Sequence, residues 1–205
     1  SSDLCGETSY EGHNRLLDYK MLVTGGDSAI GRAAAIAYAK EGADVAINYL
    51  PSEEQDAQEV KAVIEKAGRK AVLIPGDIRD EQFNYDLVEQ AYKELGGLDN
   101  VTLVAGHQQY HDKLEEFDTQ SFKETFETNV YPVFWTIQKA LDYLQPGASI
   151  TTTSSVQGYN PNPLIHDYAA SKAAIISLTK SFSEQLGEQG IRVNCVAPGP
   201  FWSPL

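Results

Sequence analysis

The chain has 205 residues, enough for one covered α/β domain and too few for a second full domain. Hydrophobic residues at 42% against 22% charged exclude a disordered chain, and the longest nearly apolar stretch, residues 33–39, is too short to span a bilayer. With 16 Lys and Arg against 29 Asp and Glu, the net charge of −13 argues against a nucleic-acid partner, although backbone N–H groups at a helix start can still hold a dinucleotide phosphate.

Residues 1–17 are polar and lack the basic-then-apolar order of a secretory signal, so they are expected to form an N-terminal extension lying on the domain formed by residues 18–205. Cys5 and Cys195 give no disulfide framework, and a reducing cytoplasm is the natural reading.

From Lys20 onward, short apolar runs alternate with longer amphipathic ones, the pattern of a parallel sheet with crossover helices. Lys20–Thr24 reads as a strand, residues 30–41 as a helix stopped by Gly42, and Asp44–Tyr49 as the second strand. Pro51 with Glu53 and Glu54 marks a helix start running to about Ala67, and residues 70–74 return as a strand. Glu81–Leu95 is predicted helical and residues 100–105 a central strand. Residues 121–144 read as one long helix with a kink or break at Pro132. A strand over 149–154, a helix over 168–188 and a strand over 191–196 complete the series. Six strands with right-handed crossovers predict a Rossmann-type doubly wound parallel sheet in a three-layer α/β/α arrangement, order 3-2-1-4-5-6, with its ligand crevice beyond the carboxyl ends of the strands.

Thr24-Gly25-Gly26-Asp27-Ser28-Ala29-Ile30-Gly31 lies between the first strand and the first helix. Gly25 supplies a tight turn, Gly31 allows close helix-to-strand packing, and free N–H groups at the helix start can face a pyrophosphate. Strand before and helix after make this a dinucleotide loop rather than a plain turn.

The pattern T-G-x-x-x-A-x-G resembles the cofactor loop of the short-chain dehydrogenase/reductase family, with Ala29 in place of the middle glycine of T-G-x-x-x-G-x-G. Asp77-Ile78 resembles that family's adenine-contacting Asp and its apolar neighbour, although spacing alone fits a solvated turn acid after Gly76 equally well. Leu103-Val104-Ala105-Gly106 takes the place of the N-N-A-G turn, with both asparagines replaced and Ala105-Gly106 left to admit the cofactor. Residues 24–32 with Ile47-Asn48-Tyr49-Leu50-Pro51 resemble a bacterial group of little-characterised oxidoreductases with an N-terminal extension.

Tyr168 and Lys172 are four residues apart on a predicted helix and share one face. A free phenol has a pKa of about 10, and a cation held close favours the phenolate. Ser155, thirteen residues before Tyr168 at a strand end, and Asn129 in the preceding long helix complete a set that resembles the family's Asn-Ser-Tyr-Lys tetrad. The resemblance implies hydride transfer between NAD(P)(H) and a carbonyl or alcohol substrate. Tyr168 would pass the proton, and Lys172 would lower the Tyr pKa and bind the nicotinamide ribose. Ser155 would polarise the substrate oxygen and Asn129 would position a water. It also puts Pro198, Gly199, Phe201 and Ser203 beside the nicotinamide, implies a homodimer or homotetramer, and implies a substrate segment with a seventh strand beyond the given chain.

Neither Asn48 nor Tyr49 is the acid expected to bind the ribose 2′-hydroxyl of NAD or the Arg that would take the 2′-phosphate of NADP. Asp27 and Ser28 add no positive charge, which favours NAD, with NADP as the alternative. Two other classes compete. A non-catalytic dinucleotide-binding sensor or scaffold would explain the altered 103–106 turn. A metal hydrolase would use His107 and His111, but no Glu follows His107 in an H-E-x-x-H pattern, and no metal site is expected.

Overall fold

In the computed structural model, which describes residues 5–200, the apolar runs become strands β1 (Lys20–Thr24), β2 (Asp44–Tyr49), β3 (Ala71–Pro75), β4 (Asn100–Leu103), β5 (Ser149–Thr153) and β6 (Arg192–Val196). The helices are α1 (Ala29–Lys40), α2 (Glu54–Lys66), α3 (Glu81–Leu95), α4 (Thr119–Asn129), α5 (Tyr131–Ala140) and α6 (His166–Gly187). The strands form one parallel sheet of order β3-β2-β1-β4-β5-β6, as the sequence predicts. Side-chain alternation splits the core into two layers. Leu22, Ala46, Val101 and Ile150 face α3, α5 and α6, while Met21, Val23, Val45 and Ile47 face α1 and α2. Each fully buried Val, Leu or Ile contributes about 1.5–3 kcal/mol, so both layers hold the helices against the sheet.

The long helix expected over 121–144 is two helices. Pro132 has no amide hydrogen to bond back along a continuous helix, and it sits instead in the first turn of α5, where no such bond is required. The break ends α4 at Asn129, which brings that side chain level with the strand ends. Strand β4 stops at Leu103 rather than Ala105, and α6 starts two residues before Tyr168.

Ahead of the sheet, the first described residues lie along α1. Lys40 Nζ donates to the carbonyls of Gly6, Glu7 and Tyr10 at 2.8–2.9 Å. Glu41 accepts from the backbone of His13 and Arg15, from the Arg15 guanidinium and from the Tyr10 hydroxyl. Those bonds hold the Glu41 carboxyl well below the usual carboxylate range, the Arg15 side chain contributing most. No helix among the described residues is long and apolar enough to cross a membrane.

Candidate active site

The strand order reverses between β1 and β4, and the loops that follow these two strands form one edge of the crevice. Gly25 (φ 61°) turns the chain so closely against the second loop that a side chain there would meet the Ala105 backbone at 3.0 Å. At Gly31 a Cβ would lie 1.8 Å from the Gly25 carbonyl oxygen, so only glycine lets α1 start against the loop. The Ser28 carbonyl accepts from Arg32 N–H at 3.0 Å, leaving the N–H groups of Ala29, Ile30 and Gly31 at the positive end of α1 without intrahelical acceptors. These groups could hold a phosphate group.

Ala29 departs from the family pattern in a way the sequence understates. Its φ of 46° is in the left-handed region, so the cost of the extra methyl lies in the backbone as well as in narrower access. Asp27 is 3% exposed, and burial pushes its carboxyl up to about 6, with Glu53 and Asp56 acting in the same direction.

The end of β2 is already bonded. Asn48 Nδ2 donates to the carbonyls of Ile74 and Gly76, tying β2 to the end of β3. The Tyr49 hydroxyl donates to Glu54 at 2.6 Å, and burial together with this carboxylate pushes the phenol up. Asp77 accepts from the Arg79 backbone and guanidinium, which holds its carboxyl down. Ile78 is buried, and its carbonyl accepts from Asn84.

Sequence reasoning missed Thr24. Its hydroxyl accepts from the backbone of Val104 at 3.1 Å and Ala105 at 3.4 Å, bracing the turn where the two family asparagines are absent. Further back along β4, Asn100 donates to Ser149 on β5 and Thr102 bonds Tyr38 of α1. The T-G pair was the available signal.

Asn129, Ser155, Tyr168 and Lys172 meet beside this turn. The Asn129 side chain accepts from His107 N–H at 2.7 Å and donates to the His107 carbonyl and Ser171 Oγ, both at 2.9 Å. Both of its N–H donors are therefore used. A side chain on Gly106 would come within 3.4 Å of Asn129 Oδ1 and Lys172 Nζ, so a glycine there keeps the two groups close. Alternation sorts the paired serines: Ser154 donates to the Lys172 carbonyl, while Ser155 accepts from Gln157 N–H and bonds Tyr168.

Lys172 is 3% exposed, its Nζ donates to the Thr153 carbonyl at 2.9 Å, and burial pulls its pKa down to about 8. Its Nζ lies 5.4 Å from the Tyr168 ring centroid. Burial pushes the Tyr168 phenol up and the Ser155 side chain acts against it, while the Lys172 ammonium bonds toward β5.

The Pro198 carbonyl accepts from Val156 N–H, fixing the turn after β6 to the turn after β5, and Gly199 beside it is exposed. Phe201 and Ser203 lie outside the described residues. His107 bonds the Gln109 side chain, whereas His111 packs on Phe117, so the two imidazoles serve different neighbours. Among the described residues no group of three His, Cys, Asp or Glu side chains could hold a metal ion.

Comparison with known proteins gives the arrangement its relatives. Residues 20–205 match the family model described as short chain dehydrogenase. The chain is 61% identical over 201 residues to the uncharacterized oxidoreductase YhxD of Bacillus subtilis, covering 98% of this chain and 67% of that protein. A short chain dehydrogenase from Burkholderia cenocepacia, solved in complex with NADP, superposes with a TM-score of 0.87 at 37% identity, covering 93% of this chain and 77% of that one. Carveol dehydrogenase from Mycobacterium avium, solved in complex with NAD, superposes at 0.84 with 27% identity, covering 90% and 71%. A glycine cradle at the first strand, a Tyr-Lys pair at the fifth and a family match over both make this chain an oxidoreductase of the short-chain dehydrogenase family.

Proposed function

We propose that the protein binds a nicotinamide dinucleotide and transfers hydride between it and a carbonyl or alcohol group of a small molecule, with Tyr168 as the acid/base. The observation that carries this reading is the meeting of Asn129, Ser155, Tyr168 and Lys172 at the same sheet end as the Gly25–Gly31 cradle. The cradle fits the group: a β-carbon at Gly31 would strike the Gly25 carbonyl and force the loop away from α1, and the N–H groups there suit a pyrophosphate. When bound, the nicotinamide supplies or accepts the hydride.

In the reductive direction the Ser155 hydroxyl hydrogen-bonds the substrate oxygen and the Tyr168 hydroxyl gives it a proton. The raised Tyr168 pKa keeps the phenol protonated for that step. Lys172 steadies the resulting phenolate and offers its remaining N–H bonds to the cofactor ribose. Asn129 holds the Gly106-His107 backbone, leaving one Oδ1 lone pair for water. Ala105, Gly106, Pro198 and Gly199 line the nicotinamide end, and Asp77 and Ile78 the adenine end.

NAD is the preferred cofactor, because Asp27, Glu53, Glu54 and Asp56 set negative charge around the end of β2 and Arg79 is held by Asp77. Exposed Phe122, Tyr131 and Phe134 on α4 and α5 support a homodimer or homotetramer, and a content of two cysteines fits the cytoplasm. The test is turnover of a carbonyl panel with NADH and with NADPH. Turnover with NADH that Tyr168→Phe abolishes supports the reading, and equal turnover by Tyr168→Phe refutes it. A higher kcat/KM with NADPH would overturn the cofactor assignment alone.

A further inference from the structure

The first turn of α6 carries Tyr168, yet its N-cap is Ile165, which has no side chain able to cap a helix. What holds this turn comes from a different helix. Thr125 on α4 donates its hydroxyl to Asp167 Oδ2 at 2.5 Å, and both residues are 0% exposed. One turn further along each helix, Asn129 donates to Ser171 at 2.9 Å, and Ser171 donates in turn to the Tyr168 carbonyl at 2.7 Å. Thr125 and Asn129 are spaced i,i+4 on α4, as are Asp167 and Ser171 on α6, so the helices are joined by two polar rungs one turn apart.

A single rung would leave the helices free to pivot, whereas two fix both angle and register. The outer rung is an expensive one. Asp167 Oδ1 is buried without a hydrogen-bond partner among the described residues, and an apolar pair of similar volume would join the helices at lower cost. Stability therefore accounts poorly for a carboxylate at this position. Directional placement of its neighbour accounts for it better, because a hydrogen bond fixes an orientation that apolar contact does not.

We infer that Thr125 and Asp167 are positioning residues, holding the first turn of α6 against α4 so that the Tyr168 hydroxyl keeps one placement relative to Asn129 and Lys172. The inference rests on the reading of Tyr168 as the acid/base, and it adds to that reading a pair outside the tetrad.

The test labels tyrosine with carbon-13 at Cζ in the full chain with NAD bound and follows the Tyr168 resonance, identified by its loss in Tyr168→Phe, through a pH titration. Lys172 and Ser155, the polar side chains beside the phenol, are present in every other variant. Thr125→Val is expected to move the Tyr168 titration by about half a pH unit or more and to lower kcat roughly tenfold, with NAD affinity within about twofold. Thr125→Ser, which restores the hydroxyl, is expected to recover both. Thr125→Ala removes the hydroxyl without added bulk and serves the same comparison if the valine variant does not fold.

An unchanged Tyr168 titration in Thr125→Val overturns the inference, as does a serine variant no better than valine, or a loss of NAD affinity that accounts for the fall in kcat. Undiminished turnover by Tyr168→Phe would instead remove the acid/base reading. The titration in Thr125→Val would still decide whether the pair positions the phenol.

Discussion

The two halves of the sheet build their parts of the site by opposite means. On the β1–β3 side, the cradle is made by leaving side chains out: Gly25 and Gly31 let backbone approach backbone, and the binding groups are main-chain N–H bonds. On the β4–β6 side, the site is made by putting side chains in, with Asn129, Lys172 and Ser171 each held by a bond to a distant residue. A loop specified by missing atoms tolerates almost no addition. A constellation specified by directed hydrogen bonds tolerates almost no deletion.

Deletion on the catalytic side should give the largest effect. Tyr168→Phe is expected to lower turnover by about 10²–10⁴-fold, the range for loss of a positioned acid/base, while NAD affinity measured by fluorescence titration stays within a few-fold. If affinity fell as far as turnover, the two halves would not be separable in function. Addition on the cradle side comes next. Gly31→Ala should cost about 3 kcal/mol or more in denaturant unfolding, because the new methyl meets a backbone carbonyl that cannot rotate away. It should also abolish NAD binding.

Asp27 sharpens the comparison, since it is a charge placed inside the half that otherwise avoids side chains. Burial pushes its carboxyl up to about 6 from the ordinary 3.8, so the folded state binds the proton more tightly than the unfolded state. A raised carboxylate pKa means stability is reduced above about 6 and recovers as pH falls toward the unfolded value. Asp27→Asn should therefore be more stable than the parent by about 1–2 kcal/mol at pH 8, with the gap narrowing by pH 5, in paired urea titrations. A gap that widened toward acid would show that the carboxylate is stabilised by a partner instead.

The smallest expected effect is at Ala29. Ala29→Gly should raise stability by about 1 kcal/mol, read as a shift in the urea midpoint, by relieving a left-handed alanine at a position where glycine is unstrained. A loss of stability would mean that the alanine methyl makes contacts worth more than its backbone strain.

The same contrast explains what could be read from the amino-acid order. Sheet order, the glycine loop and the break at Pro132 were legible because each is local: a period, a missing side chain or a missing N–H. Tyr168 and Lys172 were legible because helical spacing puts them on one face. The Lys172 bond to the Thr153 carbonyl was not, since it joins residues on separate elements and depends on a rotamer. Thr24 bracing Val104, and Asn48 spanning Ile74 and Gly76, were equally hidden, because partners far apart in the chain leave no local trace. Asp77 could have been either a ligand contact or a turn acid, and its bonds to Arg79 close a local turn that two residues of spacing do not reveal.

On the proposed function both halves serve one dinucleotide, and a crystal structure of the full chain with NADH tests this most directly. The pyrophosphate is expected on the N–H groups of Ala29, Ile30 and Gly31, with the nicotinamide leaving a substrate oxygen room to sit about 3 Å from both the Tyr168 and Ser155 hydroxyls. A nicotinamide bound away from Tyr168, with the pyrophosphate still in the cradle, would contradict it.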